Sequence, residues 1–505
     1  MRPQLQQMLA NLQTAEFIYE QAGSGAAIAY EFKHALTQDV AYSSLLMERR
    51  KVLHGRVGAT IESVYGGQLD DHVGELARHY GSSDNANKAV EYLARAGSQA
   101  MQRSAFAEAQ GHLQQGLERI SALPESGGRD AQELKLASAL VPVLVATHGY
   151  SAPATVEVAA RASALAEKAG NLAQLALHLF GRWFGAFVGG DYLTATTLAD
   201  RLLELALHEG SPMSLALAHD AQMQIRFFRG DLAGAEEHFN RIESLLDVPG
   251  FAHYAGQFVS VMGLASHLAF LMGRPDTARR HLENVITFNQ KSENSFDAAF
   301  GRFFQSWLPG DLGEHQRAEA IAAQAVALAE DGGFPYISNL SRLLLARERT
   351  QLGEALIREA LAGMRQIGSR VGISHSLTML AVAQARSGKI GDALNSIEEA
   401  LSANPEELTY RPYTLTTRGE LRLKMDKPDL AEADFREAVM LARKMGAKAY
   451  ELRATMSLTR LLRDTGRSDE ARITLAEIYN WFTEGFDTAD LKEAKALLDE
   501  LSNSL

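Results

Sequence analysis

A chain of 505 residues without cysteine forms no disulfide, thiolate zinc site or iron–sulfur cluster and has no cysteine nucleophile. Its 62 acidic and 50 basic residues give a formal charge of −12, which disfavours sequence-independent nucleic-acid binding because that binding needs a basic surface. No run of about 18 apolar residues occurs, so the sequence predicts a cytoplasmic protein, and its length predicts several domains or a repeat array.

The first 65 residues differ from the rest of the chain. A Gly/Ser-containing turn at 23–25 followed by the alternating segment IAYEF (28–32) predicts a β-hairpin. Residues 33–65 then have the apolar spacing of two helices. Within this part, the apolar residues of FKHALTQDVAYSSLL (32–46) can be explained by packing alone. We predict a small separate domain at 1–65.

A repeated turn dominates the remainder of the chain. Glycine followed five residues later by alanine recurs at Gly190, Gly230, Gly273, Gly313, Gly388 and Gly466. From Gly190 to Gly313 the intervals are 40, 43 and 40 residues. Asp426 keeps the spacing in place of glycine, whereas the unit at Gly353 has its alanine out of register.

Each of these turns has a physical explanation. Glycine tolerates the positive φ that ends a helix, and alanine lets two helices of a hairpin approach closely. A period near 40 that is built of two helices predicts an all-α fold, an α-solenoid. The turn resembles that of the tetratricopeptide repeat, which implies a right-handed superhelix of helical hairpins. A HEAT-type array has a similar period but lacks this turn.

The same pattern begins before the main array. Asp84 with Ala89 and Ser104 with Ala109 keep the five-residue offset, and SALPESGGRD (121–130) is dense in turn formers. We therefore predict a first helical-repeat block at 66–122, a linker at 121–130 and a tetratricopeptide-like superhelix over 131–505. The end of the chain, after Gly485, predicts a C-terminal capping helix.

Three segments, 32–62, 72–97 and 476–501, resemble the C-terminal half of large bacterial signalling proteins. In that family a class III adenylate/guanylate cyclase domain is followed by a STAND-type ATPase and then by tetratricopeptide repeats. The resemblance implies that residues 1–65 are a winged-helix-like remnant of the ATPase module. It further implies that the remaining chain is a sensor arm, which binds a protein, a peptide or a small effector in its groove.

The chain lacks the phosphate-binding pattern G-x-x-x-x-G-K-[ST]. We therefore predict a non-enzymatic regulatory module without a cofactor of its own, whose partners include the cyclase and ATPase module. The alternative is a part of an adenylate cyclase or ATP-binding enzyme whose catalytic domains lie outside this sequence.

His34 is the first candidate site residue. In STAND-type ATPases a histidine of the winged-helix region can face the nucleotide phosphates, and FKHAL (32–36) resembles that place. The resemblance implies that His34 is a phosphate sensor in a longer protein. The alternative is a histidine that packs one helix against the next.

His72, Glu75 and His79 share one predicted helical face, and imidazole and carboxylate are plausible metal ligands. Two helical turns, near 10 Å, separate the two histidines, which is too far for one metal ion to bridge easily. We predict a structural role for this set and no metal site.

Two aromatic-rich segments, RWFGAF (182–187) and FGRFFQSW (300–307), supply the other candidate site. Such patches usually fill the seams between helices. On the concave side of a superhelix they could instead line a groove for a peptide or a small ligand. The candidate groove residues are Trp183, Phe184, Phe303, Phe304 and Trp307.

Overall fold

The computed structural model describes residues 3–22, 28–121, 123–245, 259–291, 294–349 and 353–503. The chain divides into two compact units, Met1–Gln99 with Gly111–Gln132 and Ala100–Gln110 with Glu133–Leu505. The predicted domain boundaries at 65, 122 and 131 stay predictions. Within the described ranges, no helix has both the length and the apolar character needed to cross a bilayer.

The first unit combines helices with one pair of strands. Its elements are α1 (Pro3–Thr14), β1 (Ile18–Ala22), β2 (Ile28–Phe32), α2 (Ala35–Ser43), α3 (Met47–Val64), a 3-10 helix (Leu69–His72), α4 (Val73–Gly81) and parts of α5 (Ala86–Gln102) and α6 (Phe106–Ile120). β1 and β2 pair antiparallel, with Ile18 opposite Phe32, which confirms the predicted hairpin. Its predicted turn at 23–25 lies outside the described residues. The two helices predicted within 33–65 are confirmed as α2 and α3.

The core of the first unit lies between α4 and α5. Leu76 and Leu93 are fully buried there, and Tyr80 and Tyr92 both donate hydrogen bonds to the carboxylate of Glu62. By contrast, α2 and the segment that follows it leave large apolar side chains in solvent, including Leu36 (74% exposed), Val40 (62%) and Leu46 (80%). The expectation that packing explains the apolar residues of 32–46 is therefore wrong for this face. Helical spacing shows that a face is apolar, but it does not show whether that face is covered.

The second unit is a series of helices. They are α7 (Gly127–His148, shared with the first unit), α8 (Pro153–Lys168), α9 (Leu172–Val188), α10 (Tyr192–Glu209), α11 (Pro212–Phe228), α12 (Leu232–Glu243), α13 (Val259–Leu271), α14 (Pro275–Lys291), α15 (Ser295–Asp311), α16 (His315–Asp331), α17 (Pro335–Glu348), α18 (Gly353–Gln366), α19 (Ile373–Arg386), α20 (Ile390–Ala403), α21 (Arg411–Leu423), α22 (Pro428–Met445), α23 (Lys448–Asp464), α24 (Ser468–Tyr479) and α25 (Ala489–Asn503). From α9 to α24 they form consecutive hairpins, and α25 follows the last one.

The predicted turns lie where the hairpins bend. All six glycines of the motif have φ between 78° and 83°, and Asp426 has φ 57° in the same place. The partner alanines are buried between the two helices of each hairpin, with Ala195, Ala235 and Ala278 fully inaccessible. The α-solenoid fold predicted from the sequence is thus confirmed.

Turns of early hairpins are hydrogen-bonded to segments much later in the chain. The carbonyl of Val188 accepts from the backbone N–H groups of Arg370 (2.7 Å) and Val371 (3.0 Å), and the carbonyl of Phe228 accepts from Leu408 N–H (2.9 Å). Further bonds join residues 142 to 216 positions apart. We call these contacts the inter-turn links. They show that successive turns of the superhelix touch each other within this unit.

Gly273 lies at such a contact, and it allows a direct test of close packing. A β-carbon on Gly273 (φ +80°) would lie 2.8 Å from Cβ of Lys448, whereas one on Gly388 (φ +78°) would meet nothing within 4 Å. Both alanine variants incur the left-handed backbone penalty of about 1 to 2 kcal/mol. We expect Gly273→Ala to lose a further ~1 to 3 kcal/mol from overpacking, measured by urea unfolding. Equal losses for the two variants would contradict the close contact.

Candidate ligand cavity

The second unit encloses a cavity of about 790 Å³, a volume that includes its open side. Its wall comes from the first helix of successive hairpins, α9, α11, α13, α15, α17 and α19, and from the segments that lead into α19 and α21. We call these six helices the inner helices. The hairpin repeat therefore places one face of every second helix around a common space.

Aromatic side chains are the largest group of residues in this wall. They are Phe184, Phe187, Phe228, Phe300, Phe303, Phe304, Trp307, Tyr336 and Tyr410. Leucine, valine and methionine side chains fill the gaps, and the polar members are Gln224, Ser260, His375 and Ser376. The lining contains no aspartate, glutamate, lysine or arginine among the described residues. A mostly apolar wall with a few polar groups is the usual composition of a ligand pocket.

Four of the five predicted groove residues meet in this wall. Phe184, Phe303, Phe304 and Trp307 all line the cavity. Trp183 is fully buried outside the lining, where its ring stacks on Phe187 with centroids 5.3 Å apart. The structure thus places Trp183 in the core and the other four at the cavity, and their role in binding a ligand stays a prediction.

A buried ion network lies next to Trp307. The Trp307 ring stacks on His267 at 4.3 Å, and Nδ1 of His267 lies 2.9 Å from Oδ2 of Asp311. Arg347 donates to Oδ1 of Asp311 (2.9 Å) and to the carbonyl of Trp307 (3.1 Å). Burial raises the pKa of Asp311, but His267 and Arg347 outweigh it and bring the pKa to about 2. The network therefore fixes the position of Trp307 with a carboxylate that stays ionised.

His375, in α19, contributes to the lining of the cavity. Its ring stacks on Tyr410 with centroids 4.3 Å apart. Burial, together with the charges of Arg347 and His267, lowers the pKa of His375 to about 3, so the imidazole is neutral at physiological pH. Neither ring nitrogen has a hydrogen-bond partner in the described part of the chain.

Two buried carboxyl groups lie close to cavity residues. Glu407 is 2% exposed and accepts from the hydroxyl of Ser374 at 3.4 Å, and burial raises its pKa to about 8. Asp220 accepts from Nε2 of Gln224 at 2.8 Å, and burial raises its pKa to about 7. Glu407 is therefore largely protonated at neutral pH, and Asp220 is near its titration midpoint.

The other predicted site residues lie in the first unit. His34 is an exposed residue at the N-cap of α2, and its side chain makes no capping hydrogen bond. Nδ1 of His72 is 3.4 Å from Oε2 of Glu75, whereas Nδ1 of His79 is 3.0 Å from Nδ1 of His54. The structure thus pairs His79 with His54 and does not join it to His72. The described ranges contain no group of three or more potential metal ligands of the His, Cys, Asp and Glu types.

Sequence reasoning missed His375, Tyr410 and Gln224 as cavity residues. A signal existed in ISHSLT (373–378), where polar residues recur on a helix whose other residues are apolar, and Ser374, Ser376 and Thr378 are all buried. Buried polar residues on an inner helix indicate a special environment. The identity of the space that they face required the structure.

No protein-family model matches this chain. An uncharacterized protein of Rhizobium meliloti (strain 1021) is 25% identical over 459 residues, which cover 86% of this chain and 43% of the relative. The chain thus spans less than half the length of that relative.

Three solved structures with similar folds match this chain at TM-scores below 0.5. A Rap protein in complex with Competence and Sporulation Factor has a TM-score of 0.44 at 13% identity over 65% of this chain and 98% of that one. A STAND protein with a tetratricopeptide repeat sensor from Pyrococcus horikoshii has a TM-score of 0.39 at 15% identity, and the match covers 74% of this chain and 55% of that one. NprR in complex with its cognate peptide NprX has a TM-score of 0.40 at 14% identity, and the match covers 56% of this chain and 82% of that one. These similarities assign no ligand to this chain.

Proposed function

We propose that this chain is a non-catalytic regulatory module that binds a partner protein or a small effector in its cavity and transmits that event to a nucleotide-cyclase and ATPase unit. The observation that carries the proposal is the aromatic-lined cavity of the second unit. Its wall is mostly apolar with a few polar groups, as in known ligand pockets, and is built from inner helices of a repeat array.

The same residues line the cavity and form inter-turn links, which supplies a route for transmission. Phe228 contributes its ring to the wall, and its carbonyl accepts from Leu408 N–H. Val371 contributes its side chain to the wall, and its N–H donates to the carbonyl of Val188. A ligand that displaces the backbone at either residue would therefore also shift a contact between superhelical turns. A packed contact that has two discrete arrangements is what a switching element needs, and we propose that these contacts serve as one.

Exposed apolar side chains in the first unit indicate that another protein surface binds there. Leu36, Val40 and Leu46 are exposed by 62% or more, and soluble proteins rarely leave apolar clusters in water unless another surface covers them. We propose that the cyclase and ATPase module covers this face, which we call the α2 face and define by these three residues. In that setting the exposed His34 would be the phosphate sensor.

A second candidate function is that this chain belongs to an adenylate cyclase or ATP-binding enzyme whose catalytic domains lie outside it. The observation that favours it is that the chain spans 43% of the length of the Rhizobium relative. The purified 505-residue chain separates the two candidates. We expect neither ATP binding by calorimetry nor formation of cyclic nucleotide. Measurable turnover by the chain alone would overturn the non-catalytic proposal.

The partner is tested by capture from a lysate of the source organism with the whole chain as bait. We expect mass spectrometry to find a cyclase or a STAND-type ATPase, and we expect the double variant Leu36→Glu, Val40→Glu to lose it. Val156→Glu is the matched control, because Val156 is 47% exposed and lies in the second unit. Capture of neither class of protein, or capture that the double variant retains, would overturn the proposed docking.

A further inference from the structure

The cavity wall restricts the charge of any occupant. Its side chains are aromatic, aliphatic or neutral polar, and no ionised group belongs to the lining among the described residues. The charges beside Trp307, on Asp311 and Arg347, are directed at each other at 2.9 Å. Transfer of an unpaired charge into apolar surroundings is strongly unfavourable. An occupant of this space should therefore be uncharged.

The wall also favours an aromatic occupant. Trp307, Phe303 and Phe304 come from consecutive turns of α15, and their ring centroids lie 4.9 to 6.3 Å apart. Aromatic rings at these separations gain from edge-to-face and offset contacts in addition to burial. A planar ring inserted beside them makes the same contacts. A flexible aliphatic chain would lose more rotamer freedom for the same buried area.

One polar contact is available to such a ligand. Neutral imidazole has one N–H donor and one acceptor nitrogen, and both nitrogens of His375 lack a partner within the described ranges. A buried polar group without a partner is costly, so a ligand that supplies a hydrogen bond is selected over one that does not. The nitrogens lie among buried atoms, so the ring must turn about its side-chain bonds to meet the ligand.

We infer that the cavity binds a small, uncharged aromatic molecule with one hydrogen-bonding group, which pairs with His375. This inference rests on the proposed function, because both take the cavity as the binding site. The hydrogen bond orients the ligand, and the rings of α15 hold its planar part. Because Val371 and Phe228 share the wall, the ligand also contacts the residues that form inter-turn links.

Two fluorescent dyes that share the same aromatic rings test whether the cavity selects an uncharged ligand. N-phenylnaphthylamine is uncharged and has one N–H, whereas anilinonaphthalene sulfonate adds an anionic group. The whole chain is titrated with each dye at neutral pH, and fluorescence enhancement gives the two dissociation constants. We expect the uncharged dye to bind at least roughly tenfold more tightly. Equal or tighter binding of the sulfonate would overturn an uncharged ligand.

The place of binding is tested with variants of the wall. Trp307→Ala should weaken the binding of N-phenylnaphthylamine because it removes an aromatic wall residue, and His375→Phe should weaken that binding by about fivefold. Phenylalanine keeps the stacking on Tyr410, so a thermal melt should show an unchanged or higher Tm. His281→Phe is the matched control, because His281 also has a buried ring nitrogen without a partner but lies outside the lining. Equal weakening by both histidine variants would refute a contact through His375.

Competition distinguishes a small molecule from a peptide. A neutral indole derivative and a capped peptide of phenylalanine and leucine are each added to the complex with N-phenylnaphthylamine. Stronger displacement by the indole supports the inference, and stronger displacement by the peptide overturns it while leaving the cavity as the binding site. Capture of the cyclase or ATPase partner through the α2 face is measured separately, so its failure leaves this result unaffected.

Discussion

Replacing Asp311 with alanine is expected to lower the free energy of unfolding of the second unit by about 3 to 5 kcal/mol, because the change leaves buried partner groups without a counter-charge. The Asp311 side chain is 10% exposed and contacts both His267 and Arg347. Arg453 donates to the backbone carbonyl of Asp311 (2.9 Å), and that inter-turn link remains in the variant. Chemical denaturation followed by circular dichroism measures the loss.

The control for this variant is an exposed ion pair of the same unit. Arg201 and Glu167 are 2.7 Å apart, with side chains 48% and 57% exposed. Because exposed pairs contribute little, Glu167→Ala should cost less than about 1 kcal/mol. If Asp311→Ala were as mild as Glu167→Ala, the network beside Trp307 would have no stabilising role.

Glu407→Gln should make the protein more stable at alkaline pH while leaving its stability at acid pH nearly unchanged. Burial raises the pKa of Glu407 to about 8 from an ordinary value of 4.5. The folded state therefore keeps a proton that the unfolded chain releases, and wild-type stability declines as the pH rises from about 4.5 to about 8. Glutamine removes this dependence. We expect a gain of about 2 to 4 kcal/mol near pH 8 and less than about 1 kcal/mol near pH 5, measured by urea unfolding.

The neighbouring Glu406 provides the comparison, since it is exposed whereas Glu407 is buried. Glu406→Gln should leave the pH dependence of unfolding as it is in the wild type. An equal gain in the free energy of unfolding near pH 5 and near pH 8 for Glu407→Gln would show that the Glu407 carboxyl does not titrate in the expected range.

The sequence was sufficient to predict the hairpins because their causes are local. Gly230 needs a positive φ at the turn, and Ala235 must be small where two helices meet, so both appear as a spacing within six residues. The strands at 18–22 and 28–32 were likewise predictable from alternation and a turn. Such features depend on neighbours in the chain and are visible without a fold.

The cavity was only partly predictable, because its residues meet through long-range contacts. Trp307 and Phe184 stood out as members of aromatic segments, but Trp183, one position from Phe184, belongs to the core. Asp311 lies in the last turn of α15, where a negative charge opposes the helix dipole, and only its contacts with Arg347 and His267 explain it. Helical spacing around Leu36 identified an apolar face but not its exposure.

The inter-turn links also constrain how such a protein can evolve. An open repeat array gains or loses a hairpin with little consequence, because each unit contacts only its neighbours. Here the carbonyl of Val188 accepts from Val371 N–H and that of Phe228 from Leu408 N–H, so these two turns have fixed partners several hairpins away. Deleting one hairpin between the partners would bring these turns opposite the wrong segments. Duplication and loss of single repeats should therefore be rare in this lineage, and variation should be confined to the lengths of loops outside the links.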